Sequence, residues 1–123
     1  MTLKLLHIDD EDDIREVVVS ALELDPDVEV RSESSGTAGL ATAASWRPDA
    51  ILLDVMMPSM DGPTTLLRLK SYHATKKIPV IFFTVKALPN EISEFIDLGA
   101  RGVIKKPFNP MTLASEVRRR IAA

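Results

Sequence analysis

The sequence predicts an α/β domain in which a five-stranded parallel sheet is covered by helices on both faces. Three observations carry this prediction. Short apolar runs alternate five times with segments of helical period, and such alternation is the mark of parallel strands joined by crossover helices. Proline and glycine punctuate the joins, and no long linker, internal repeat or low-complexity tract interrupts them. The length of 123 residues, 46% of them hydrophobic, suits one continuous core. Residues 1–123 are therefore expected to form a single domain.

The first strand is the apolar run Leu3 to Ile8, which ends abruptly in acid as a buried strand emptying into a loop would. From Glu11 the period changes: Ile14, Val17, Val18, Ala21 and Leu22 share one helical face, and Pro26 closes that helix. Val28 and Val30 alternate with charged residues in a half-buried second strand. Gly36 and Gly39 lead into an alanine-rich helix that ends near Trp46, before Pro48. Ala50 to Leu53 is too short for a helix and delivers Asp54 at its end. Asp61-Gly62-Pro63 is a turn into the third helix, with Pro63 at its first position and Leu66, Leu67 and Leu69 along it. Pro79 to Thr84 is a fourth strand rich in β-formers. Pro89 opens a short helix through Ile92, Phe95 and Ile96, which Gly99 caps. Gly102 to Ile104 is the last strand, and after Pro110 a helix points Leu113, Val117 and Ile121 inward and Arg118 to Arg120 mostly outward.

A net charge of −3 with a pI near 5.3 gives no basic footprint for nucleic acid. The absence of cysteine excludes disulfides, thiol catalysis and cysteine-ligated zinc. The opening residues are too short and too soon charged for a signal peptide, and no run reaches membrane-spanning length, so a soluble cytoplasmic protein is expected.

In open parallel sheets, ligands gather beyond the carboxyl ends of the strands. Asp9 and Asp10 follow the first strand, Asp54 ends the third, Thr84 ends the fourth and Lys106 follows the fifth, so five polar groups should converge there. Three carboxylates repel one another unless a cation lies between them, and hard oxygen ligands with room for water suit Mg²⁺. A carboxylate can also attack phosphorus and form an acyl phosphate. The Lys106 ammonium and the Thr84 hydroxyl would then hold phosphoryl oxygens. Glu11, Asp12 and Asp13 are expected to serve the first helix's N-terminus. His7 is expected to be a satisfied strand residue, His73 a solvated loop residue, and Trp46 a packer at the core's edge. Met56, Met57 and Met60 are assigned to core or loop packing, and the arginine run to a solvated helix end.

Ile8-Asp9-Asp10-Glu11, the block Ile51 to Gly62, Phe83-Thr84 and Lys106-Pro107-Phe108 resemble, in order and spacing, the receiver domain of two-component response regulators. The resemblance covers essentially the whole chain. It implies the flavodoxin-like (βα)5 fold with strand order 2-1-3-4-5. It also implies that Asp54 accepts phosphate from a sensor histidine kinase or histidine phosphotransfer protein, and that Mg²⁺ is held by Asp9, Asp10, Asp54 and the backbone carbonyl of Met56. Thr84 and Lys106 would hold the phosphoryl group and report it to a docking face formed by the fourth helix, fifth strand and fifth helix, for a downstream protein target. Such a chain is a phosphoacceptor that assists its own phosphorylation and dephosphorylation, not an enzyme with a separate substrate. A cis peptide is implied at Lys106-Pro107.

Two positions depart from the pattern. Val85 stands where a small residue is usual and is expected to narrow access to the phosphoryl group, and Val103 stands where an inward-swinging aromatic is usual. Three alternatives are weighed against this reading. An aspartate-nucleophile phosphatase would want an acid two residues after the nucleophile, where this chain has Met56. A flavin carrier would want a phosphate loop that is not evident, and a phosphorylation-independent adaptor would not need the full acid, threonine and lysine set. The chain ends soon after its last helix, leaving no expected room for an output domain, so it acts by docking or belongs to something longer.

Overall fold

The computed structural model describes residues 2–122. Among them, five strands alternate with five helices: β1 (Leu3–Ile8), α1 (Asp12–Leu22), β2 (Val28–Glu33), α2 (Gly36–Trp46), β3 (Ala50–Asp54), α3 (Gly62–Ser71), β4 (Val80–Thr84), α4 (Pro89–Leu98), β5 (Gly102–Lys105) and α5 (Leu113–Ala122). The strands form one parallel sheet in the order β2-β1-β3-β4-β5. The central strands β3 and β4 are buried at every position, as unbroken apolar runs covered on both faces must be.

Two cores result. Ile8, Ile51, Leu53, Leu66, Phe82, Phe95 and Val103 pack on one side of the sheet, and Leu5, Val18, Leu22, Leu52, Ile81, Phe83, Leu113 and Val117 on the other. Local chemistry sets the helix ends. Ser35 accepts from the Ala38 N–H at the start of α2, Asp61 accepts from the Thr64 N–H at the start of α3, and Gly99 at φ 115 stops α4.

The structure corrects some expectations, bears out others and adds detail to the rest. Val17 is 47% exposed; it lies about 100° around α1 from Val18, outside the stripe that meets the sheet. Leu67 and Ile96 are likewise exposed on the outer flanks of α3 and α4. Pro63 is the second residue of α3, because Gly62 is already helical. Gly36 and Gly39 lie inside α2 rather than ahead of it, since the helix needs them for close approach: a Cβ on Gly39 would lie 2.3 Å from Ile8 Cδ1. Arg118 bonds the Asp25 carboxylate and the Asp27 carbonyl, and the stem of Arg120 lies over Gly102, so the arginine run is partly structural. Trp46 packs at the core's edge between the Lys4 ammonium and the Arg31 guanidinium, 4.9 and 4.6 Å from its ring. Met57 is buried, Met56 is exposed, and the Lys106–Pro107 peptide is cis.

Gly62 lies directly under the end of β3. Its N–H donates to the Val55 carbonyl at 2.8 Å, and a Cβ there would come within 2.3 Å of the Asp54 carbonyl oxygen and 2.8 Å of Val55 Cα. Backbone cannot yield as a side-chain tip can. Gly62→Ala should therefore destabilise the fold by about 2 kcal/mol despite alanine's better helix propensity, as read by urea unfolding.

Candidate functional site

The carboxyl edge of the sheet gathers the expected acids. β1 and β3 run in register with Ile8 beside Leu53, so Asp9 and Asp54 leave adjacent strands at the same level. Asp9 is fully buried and Asp54 nearly so. Carboxylate oxygens of Asp9, Asp10 and Asp54 lie within 4.8 Å of one another. The Lys106 ammonium reaches this group from beyond β5, 3.1 Å from Asp9 Oδ2 and 3.3 Å from Asp54 Oδ1, with the Phe83 ring 4.9 Å away.

Thr84 ends β4 on the same edge and is buried. Its hydroxyl accepts from the Lys86 N–H at 2.9 Å, which leaves its own proton as a donor, and its carbonyl accepts from the Lys106 N–H at 2.9 Å. Met56 lies two residues past Asp54 on the β3–α3 loop, its side chain 62% exposed. Val85 is 65% exposed, whereas Val103 is packed into the core beside Phe82 and Phe95.

The electrostatics follow from crowding. Burial, and next the Asp9 charge, push the Asp54 carboxyl above its ordinary value, while Lys106 opposes both. Burial works against the Lys106 charge, but hydrogen bonds and charge from Asp9 and Asp54 outweigh it and hold the ammonium above its ordinary value. One cation for three acids leaves negative charge over. Asp10 Oδ1 is buried without a hydrogen-bond partner, and an orphaned carboxylate oxygen beside two further acids fits a hard divalent cation.

Two supports escaped the reading of the sequence, and one residue was misjudged. The Arg15 guanidinium donates to the Asp9 carbonyl at 2.7 Å and pairs with Asp12, tying α1 to the acid edge. A basic residue one turn into a helix that follows an acid pair was the available signal. Gly62 makes the close approach already described, and its signal was a glycine just inside a capped helix. His7 is the correction: neither ring nitrogen has a hydrogen-bond partner, so it is not a satisfied histidine. Burial, then the charges of Lys106 and Arg15, lower its pKa to about 3, so the ring is neutral. His73 is exposed, as expected. No helix of the described residues is long and apolar enough to cross a membrane.

Comparison with known proteins gives one consistent result. The family model described as response regulator receiver domain matches residues 5–118. The nitrate/nitrite response regulator protein homolog of Haemophilus influenzae is 36% identical over 95% of this chain and 56% of its own length. The phosphate regulon transcriptional regulatory protein PhoB of Pseudomonas aeruginosa is 34% identical over 93% of this chain and 49% of its own. The chain thus spans about half the length of these curated relatives. Among solved structures, the chemotaxis protein CheY4 of Vibrio cholerae superposes with a TM-score of 0.88 at 34% identity, covering 97% of this chain and 98% of that one. A response regulator from Chloroflexus aurantiacus gives 0.88 at 29% identity over the full length of both. By sequence and by fold, the chain belongs to the response-regulator receiver domain family.

Proposed function

We propose that residues 1–123 act as one receiver domain in the cytoplasm, the phosphoacceptor of a two-component phosphorelay with Asp54 as the acceptor. The observation that carries this reading is the Lys106 ammonium shared between Asp9 and Asp54, with an unpartnered Asp10 oxygen beside it. A carboxylate oxygen of Asp54 attacks the phosphorus of a phosphohistidine on a sensor kinase or phosphotransfer protein. The O–P bond forms as the P–N bond breaks, and the departing imidazole keeps the electron pair and takes up a proton. Lys106 and the Thr84 hydroxyl hold phosphoryl oxygens on the product. Asp9, Asp10, Asp54 and the Met56 carbonyl would hold Mg²⁺, which would offset negative charge on the phosphoryl oxygens. The product is read by a downstream protein that docks on α4, β5 and α5. The chain helps to make and remove its own acyl phosphate but has no separate substrate, in keeping with Met56 where a phosphatase would place an acid. Neither nucleic acid nor membrane is a partner in this reading.

Incubation with a small phosphodonor and Mg²⁺ should add one phosphoryl group to the wild type and none to Asp54→Asn, as followed by intact mass. Undiminished labelling of the variant would move the site elsewhere. A wild type that takes no phosphate would favour the phosphorylation-independent adaptor.

The same carboxylate makes a stability prediction for the metal-free protein. Because the fold raises the Asp54 pKa, the native state holds this proton more tightly than the unfolded chain, and stability falls as pH rises through the raised value. Asp54→Asn removes that charge. The variant should be more stable than wild type at pH 7. The gap should close as pH falls toward the ordinary carboxylate range, and chemical unfolding at a series of pH values reads it.

Transmission follows from the position of Lys106. Its ammonium bonds the acids and its N–H bonds Thr84, whereas Val103 is β-branched, packed and stiff about χ1. Lys106→Ala should still take some phosphate but lose most phosphate-dependent change in α4, while Val103→Ala keeps it. Amide exchange with and without a phosphoryl mimic distinguishes the two.

A further inference from the structure

His7 is the buried group for which phosphate acceptance has no task. Its side chain is wholly inaccessible, and both ring nitrogens lack a partner. It occupies an inward position of β1 between Leu5 and Asp9, in register with Leu52, where an aliphatic residue would fill the space without stranding polar atoms. The edge of the ring meets Phe83, with centroids 6.0 Å apart at 73°, and the Lys106 ammonium lies 4.9 Å from the Phe83 centroid. His7 Nε2 is 3.8 Å from Asp9 Oδ2, too far for a hydrogen bond but within the reach of a small ring adjustment. That oxygen is the one Lys106 holds at 3.1 Å. The other Asp9 oxygen already accepts from the Glu11 N–H at 3.0 Å.

We propose that His7 is a positioning residue for the phosphorylated state: when Lys106 is drawn from Asp9 to the phosphoryl group, the His7 Nε2–H takes over Asp9 Oδ2 and keeps that carboxylate in place. The inference rests on Asp54 being the acceptor. Asp9 is fully buried, and even with Mg²⁺ offsetting its charge, Oδ2 would lose the hydrogen bond that fixes the carboxylate's orientation once Lys106 leaves. His7 Nε2 stands 3.8 Å from that oxygen, within a small ring adjustment of donating to it. In the resting protein Lys106 occupies the oxygen and His7 stands idle, which accounts for its unpartnered Nε2.

The test uses the full chain with ¹⁵N-labelled histidine, followed by imidazole ¹⁵N spectra without metal, with Mg²⁺, and with Mg²⁺ plus fluoroberyllate as phosphoryl mimic. The exposed His73 serves as internal reference. With the mimic, His7 should become a single Nε2–H tautomer whose proton is protected from exchange. His7→Leu should bind fluoroberyllate about tenfold more weakly than wild type, whereas His7→Gln, which keeps a donor near the same place, should stay within about threefold. An Nδ1–H tautomer in the mimic-bound wild type overturns the role, as does equal affinity of His7→Leu and wild type. If either variant fails to fold, the wild-type spectra alone decide. Should the Thr84 and Lys106 amides not shift when mimic is added, the acceptor assignment falls, and this inference with it; if they shift while His7 does not, only the inference falls.

Discussion

Three carboxylates with oxygens inside 4.8 Å cost free energy in any fold that leaves them charged and uncompensated. The protein meets this constraint with a single ammonium, Lys106, delivered from the far end of the chain and set between Asp9 and Asp54. One positive charge cannot neutralise three acids. The Asp54 carboxyl is therefore held above its ordinary pKa although Lys106 touches it, and Asp10 keeps a buried oxygen without a partner. The resting site is electrostatically incomplete, and it gains free energy from whatever brings further positive charge.

The scaffold is built to hold that incomplete site rigid. Parallel register puts Asp9 and Asp54 side by side, the two strands being buried and unable to slip without turning their apolar sets over. Gly62 lets α3 start directly against the end of β3, and the Asp61 cap fixes where that helix begins. Arg15 pins the backbone of Asp9 from α1, and the Lys106 N–H is held by the Thr84 carbonyl where β5 hands Lys106 to the site. Each support acts on backbone or on a strand end, so the acids have little freedom to relax apart.

Most of the architecture was legible because each element states its period. Runs such as Ile51 to Leu53 and Val80 to Phe83 are apolar, too short for a helix and bounded by breakers or acid, while Val18, Ala21 and Leu22 repeat at helical spacing. The acid edge was legible because each of its residues falls just past a strand. The illegible part consisted of contacts between elements. Nothing local in Gly36 or Gly39 says that α2 must approach Ile8 and Thr65 closely enough to exclude a Cβ. Nothing in Val17 says that it lies just outside the buried stripe. His7 was misread because a histidine in an apolar strand usually finds a partner, and whether it does depends on the length of one gap, 3.8 Å to Asp9, which only coordinates supply.

Val103 narrows how such a site can speak to its surface. A signal carried by a swinging ring needs a side chain with a second position to occupy, and a packed β-branched residue has none. Thr84 offers another route, since its hydroxyl holds the Lys86 N–H and its carbonyl holds the Lys106 N–H. A phosphoryl group that took the hydroxyl proton as a hydrogen bond would pull on Thr84 and loosen its bonds to the Lys86 and Lys106 N–H groups. The segment so loosened runs from Val85 to Leu88, both well exposed, and leads straight into α4, whose start is held by the Glu91 carboxylate accepting from the Leu88 N–H at 3.1 Å. Ala87 packs against the core while its neighbours Val85 and Leu88 are exposed, so a modest differential free energy at the site would be enough to shift such a segment's population. A change in how the β4–α4 connection is bonded would reach the groove of Ala87, Ile92, Val103 and Phe108 beside it.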